Sequence, residues 1–111
     1  MLTAPATPLP AYDQAQVDKR FLVELDRLLQ AGAFTSYREW GLTLGVNPNY
    51  VAAIAAGRYH CNLKLLYDTV RHFPGCDFNY VVFGSAIYAR PEPKEAPKRA
   101  LGRRTKAPIS T

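Results

Sequence analysis

The stretch LGVNPNYVAAIAAGRYH, Leu44 to His60, decides how this chain folds. Gly45 supplies the positive φ that a tight turn needs and that glycine adopts without strain. Asn47 then offers a side-chain cap, and Pro48 stands at the first helical position, where its missing N–H costs nothing. A helix from Pro48 to about Ala56 follows, and Gly57 closes it. Val51 and Ile54, three residues apart, face inward, which leaves Asn49, Tyr50, Ala53 and Ala56 on the opposite face.

Upstream, in TSYREWGLTLG, Thr35 or Ser36 can cap a helix running from Tyr37 to Leu44. Glu39 sits three residues after Ser36 and completes a capping box. Farther upstream, Val17, Phe21, Leu25, Leu28 and Leu29 recur at spacings of three and four, with Asp18, Lys19, Arg20, Asp26 and Arg27 between them. They predict an amphipathic helix from about Asp13 to Gly32. Downstream, a helix starting near Asn62 places Leu63, Leu66, Tyr67, Val70 and Phe73 on one side until Pro74 and Gly75 end it. Asp77 can cap a fifth, short helix, FNYVVFG. No run of alternating β-branched residues is bounded by hairpin turns, so the fold class is all-α, a compact five-helix domain.

The 111 residues suffice for one small domain. Residues 1–12 are proline-rich, with Pro5, Pro8 and Pro10, and read as a flexible lead. Residues 13–90 form the folded domain. Residues 91–111 read as a disordered basic tail. The net charge of +5 is uneven. Up to Arg90 there are 8 Lys+Arg against 7 Asp+Glu, and from Pro91 onward 6 against 2, so the tail carries most of the basic character. That tail either adds phosphate contacts through counterion release or keeps the protein soluble.

Gly41, Gly45, Val51 and Ile54 stand at intervals of four, six and three. The first lets two helix backbones approach, the second makes the turn, and the last two pack the following helix against the first. Those are the demands of a helix-turn-helix. On SYREWGLTLGVNPNYVAAIAAGR, extended by NLKLLYDTVRHFP and DFNYVVFG, the chain resembles the lambda-repressor-like (xenobiotic-response-element) helix-turn-helix family. The resemblance covers about Val17 to Gly84. Tyr80 stands where that family usually has tryptophan, and Gly41 where alanine is more usual. The resemblance implies a five-helix domain that binds duplex DNA, usually as a dimer on a two-fold symmetric site.

On that reading Asn49 pairs with an adenine edge, Ala53 lies against a thymine methyl, and Tyr50 reaches a base or a sugar-phosphate edge. Ser36 and Tyr37, at the start of the second helix, offer N–H and hydroxyl groups to a phosphate. Asn47 caps its helix and touches the DNA backbone. Arg58, Tyr59 and His60 follow on the loop that faces the next phosphates, though Tyr59 and His60 serve equally well as core cover. Phe78, Val82, Phe83, Ile87 and Tyr88 form an apolar end suited to a homodimer. The expected function is that of a sequence-preferring transcriptional regulator acting as a repressor, with an antitoxin-like or adaptor-like protein-interaction module as the alternative.

Other classes are disfavoured. Cys61 and Cys76 are too few for a disulfide framework, and HC-x10-H-x3-C lacks the paired C-x2-C spacing of zinc sites, so no metal or other cofactor is expected. No acid–base or nucleophile pair stands at a working spacing, and no phosphate-cradling glycine loop appears, so no enzyme is expected. No stretch reaches the roughly 20 apolar residues of a membrane span. The N-terminus lacks a secretory pattern, which points to a cytoplasmic, nucleoid-associated protein.

Overall fold

A computed structural model describes residues 11–84 and 92–101. Five helices appear: α1 (Gln14–Gln30), α2 (Tyr37–Leu44), α3 (Asn49–Ala55), α4 (Leu63–His72) and α5 (Phe78–Phe83). A 3-10 turn, Lys98–Leu101, follows, and no strand occurs among the described residues. None of the helices described is long and apolar enough to cross a membrane.

α1 is the element on which the rest assembles. The Asp13 carboxylate accepts from the Ala15 and Gln16 N–H groups and starts it, a cap worth about 1 kcal/mol. α3, α5 and the 3-10 turn all pack against α1, while α2 rests on α4 and α4 on α5. Phe21 and Leu25 of α1 are fully buried, and the Phe21 ring meets Trp40 of α2 edge-on at 6.3 Å. Trp40 is therefore the bridge between α1 and the α2–α4 layer, as its indole N–H also donates to Thr69 Oγ1 of α4. Phe34, in the α1–α2 loop, packs edge-on against Phe73 at 5.1 Å.

The helix boundaries follow the sequence closely, but two expectations need correction. α4 does not bury Leu63 and Tyr67, which are 70% and 62% exposed. Its inward face is Leu65, Leu66 and Thr69, with Val70 and Phe73 half-buried. The reason is polar: Thr69 gives its own hydroxyl hydrogen to the Leu65 carbonyl and accepts from Trp40, so it is satisfied in the core and turns the helix toward itself.

The second correction concerns the tail, whose first part is not disordered. Residues 92–101 fold back as a strap over α1 and α3. Glu92 pairs with Arg20 at 2.9 Å, Arg99 pairs with Asp26 at 3.1 Å, and Ala100 is 1% exposed. Residues 1–10 of the lead and 102–111 of the tail lie outside the described residues, as do Ile87 and Tyr88.

Candidate nucleic-acid interface

α2 begins as expected, with a variation. Ser36 Oγ accepts from the Glu39 N–H at 3.1 Å. The Glu39 carboxylate reaches back one residue farther than a capping box requires, to the N–H and hydroxyl of Thr35. Those two donors hold its carboxyl below the usual glutamate range. Ser36 is exposed, so the first N–H groups of α2 border solvent. Tyr37 is different. Its ring tilts onto Phe34 and its hydroxyl is buried near the Asp26 carboxylate of α1. Burial first, and Asp26 second, push that hydroxyl's pKa well up. Tyr37 therefore turns inward and does not present its hydroxyl to a phosphate.

The α2–α3 turn is set by backbone geometry. Gly45 takes φ +76°, and the Val46 N–H returns to the Gly41 carbonyl at 2.9 Å. A Cβ on Gly41 would stand 2.8 Å from Pro48 Cγ and 2.9 Å from its Cα, so glycine is what allows α2 to touch the start of α3. Asn47 Oδ1 accepts from the Asn49 N–H at 2.9 Å and caps α3.

Val51 and Ile54 are buried, which leaves Asn49 and Ala56 exposed on the opposite side with the half-covered Ala52 and Ala53 between them. This ridge is short-chained along its whole length. Tyr50 does not belong to it: the residue is half-buried on one flank, its ring stacked on Tyr59 at 4.4 Å with 24° between planes. An outward aromatic was expected; Tyr59, nine positions further along and supplied by the loop, pulls it aside. The Ala53 carbonyl accepts from both the Arg58 and Tyr59 N–H groups, so the loop curls tightly under the end of α3. Arg58 is exposed and forms no ion pair among the described residues.

His60 is drawn away from this surface. Its Nδ1 lies 2.8 Å from Asp18 Oδ2 on α1. Asp18 Oδ1 accepts from the Cys61 N–H and from Gln14 Nε2, and Gln14 Nε2 also reaches the Cys61 carbonyl. The loop after α3 is thus moored to the first turns of α1. Cys61 adjoins this His–Asp pair, but burial raises its thiol pKa, so it is held as a neutral thiol rather than a nucleophile. Cys76 is likewise pushed up to about 12 by burial.

On the flank of α3 opposite Tyr50, the strap closes a cleft of about 320 Å³. Ile54, Ala55 and Gly57 line it from α3, and Lys94, Glu95 and Ala96 from the strap. Of the residues singled out in the sequence, the structure leaves Asn47, Asn49 and Arg58 exposed and Ala53 half-covered on or beside α3, sets Ser36 at the start of α2, and turns Tyr37, Tyr50, Tyr59 and His60 toward other protein groups. Asp18, Arg20 and Glu24 were missed as organisers because they alternate with apolar residues like ordinary solvent-facing charges. The one available signal is their position, one residue from Val17, Phe21 and Leu25 on a helix packed from several sides. Comparison with known protein families, characterised proteins and solved structures finds no match to this chain.

Proposed function

We propose that this protein is a sequence-preferring duplex-DNA-binding transcriptional regulator, with α2, its turn and α3 acting as a helix-turn-helix of the lambda-repressor-like kind. The observation that carries the reading is the short-chained outer ridge of α3, Asn49, Ala52, Ala53 and Ala56, opposite a fully buried Val51–Ile54 face. Such a ridge lets a helix sit deep in the major groove, where one Asn side chain pairs with an adenine and alanine methyls meet thymine methyls. Arg58, at the end of α3 and without an ion pair among the described residues, supplies a phosphate contact, and the open start of α2 at Ser36 a second.

One short helix reads only a few base pairs, so the protein acts as a homodimer on half-sites about 34 Å apart. Phe83, 39% exposed on α5, with the half-buried Phe78 and Val82 beside it, supplies the apolar surface for that dimer. Repression, by occupying a promoter, is the action this reading assigns to it.

The test is fluorescence anisotropy on labelled duplexes across a salt series. Arg58→Ala weakens every sequence alike and lowers the salt slope by about 0.9, the share of one phosphate. Asn49→Ala mainly relaxes base preference, at about 1–3 kcal/mol of discrimination. Equal behaviour of both variants and the parent refutes the placement of α3 in the groove.

A second reading rests on a separate observation. Leu42, Leu63 and Tyr67 are 63%, 70% and 62% exposed. Large apolar side chains left in water favour a protein-interaction module of the antitoxin or adaptor kind. Loss of partner capture on Leu63→Ser with Tyr67→Ser, with DNA binding unchanged, distinguishes that function from the first.

A further inference from the structure

The strap is built to hold charge in a fixed place. Its first end is fastened where Glu92 meets Arg20, a guanidinium that also donates to the Val81 and Val82 carbonyls at the end of α5. Its second end is fastened by the Arg99–Asp26 pair and by Ala100, sealed at 1% exposure. Between those anchors the chain runs alongside α3, with Lys94 at the cleft near Ala55 and Gly57 and Lys98 opening the 3-10 turn that packs on α3. Both lysines are exposed, and neither forms an ion pair among the described residues. The strap's other charged groups divide differently. Arg99 and Glu92 are spent on anchoring, and Glu95 sits exposed between the two free lysines.

Ala55 and Tyr50 lie on opposite flanks of α3, on either side of its buried face. The Tyr50–Tyr59 stack fills one flank without charge, whereas the strap lines the other with two uncommitted cations. We propose that the strap is a positioned phosphate clamp, in which Lys94 and Lys98 grip the DNA backbone along the strap-side flank of α3. The inference rests on the duplex-DNA reading of α3 and adds to it. The helix carries no cation of its own, so its seating in the groove depends on cations that the body holds beside it. A clamp differs from a free basic tail in one respect: its grip requires the strap to be docked, not merely charged.

That distinction fixes the experiment. Full-length protein is titrated into a labelled duplex over a salt series, with unfolding midpoints and Trp40 fluorescence recorded for each variant. Lys94→Gln and Lys98→Gln each lower the slope of log K against log salt by about 0.9. Ala100→Lys adds a positive charge while denying the turn its buried seat. Glu92→Ala also makes the chain more positive while releasing the other anchor, and leaves Arg20 its two carbonyl partners. A clamp predicts that both bind about tenfold more weakly than the parent despite their greater charge, with a reduced slope. If Ala100→Lys and Glu92→Ala, both folded, bind as tightly as the parent or tighter, the strap is a free polycation and the clamp is wrong. Unchanged slopes in the two glutamine variants overturn it as well. A parent protein that binds no duplex at any salt removes the reading of α3, and the clamp with it.

Discussion

α1 and α3 share one core and reach it by opposite means. α1 buries Asp18, Arg20 and Glu24 along with its apolar face and satisfies each with partners from distant parts of the chain. α3 carries no charged side chain, and it is fixed by Pro48 against Gly41, by Tyr50 on Tyr59, and by the loop N–H groups of Arg58 and Tyr59, which donate to the Ala53 carbonyl. The difference teaches that orientation and contact are divided between the two helices. A helix freed from holding itself in place can present a bare ridge, and the helix that holds it must spend polar groups inside the protein.

The largest break in this arrangement is expected at Glu24. Its fully buried carboxylate takes two hydrogen bonds from Arg27 and one from the Asp77 N–H, at the residue that caps α5. Glu24→Ala strands that N–H and leaves Arg27 only its bond to the Gly75 carbonyl among the described residues, and should cost about 3 kcal/mol in urea unfolding. Gly41→Ala should follow. Its Cβ would meet Pro48 backbone atoms at 2.9–3.0 Å, which rigid neighbours cannot absorb. Overpacking of about 1–3 kcal/mol exceeds the gain of about 1 kcal/mol in helix propensity, so the net is destabilising and α3 is displaced. A Gly41→Ala protein that unfolds at higher urea than the parent contradicts the close approach.

Tyr50→Ala removes a stack worth about 0.5–1.5 kcal/mol and loosens α3 on its uncharged flank. The loss should appear both in stability and in the sharpness of base preference. The smallest effect is that of Glu39. Its carboxyl titrates below the ordinary value of 4.5 because Thr35 donates to it twice. The stabilisation is therefore present above that value and disappears as pH falls through the lowered one. Melting curves of Glu39→Gln and the parent should differ slightly at neutral pH and coincide in strong acid; a gap that widens on acidification has the wrong sign.

The α2–α3 region was legible because each of its constraints is local. Gly45, Asn47, Pro48 and Gly57 act on their own or adjacent backbone, and such effects are written in short windows of sequence. α1 was legible only for its apolar half. Asp18, Arg20 and Glu24 acquire partners 43, 61 and 53 residues away, separations to which no periodicity reports. The same holds for the strap: PEPKEAPKRA has the composition of a disordered tail, and only Ala100, small enough to enter a closed seat, distinguishes it from one. Tyr50 was misplaced for a related reason, since helical spacing gives the direction of a side chain and not the ring that will stack on it.

The central claim is that α3 reads sequence through Asn49 and its alanine ridge. A selection of full-length protein against random duplex DNA at near-physiological salt, run beside Asn49→Ala, tests it most directly. The account predicts enrichment of a two-fold symmetric site for the parent and loss of an adenine preference within each half-site for the variant. Pools that stay random for both, or that enrich the same site to the same degree with and without Asn49, would contradict it.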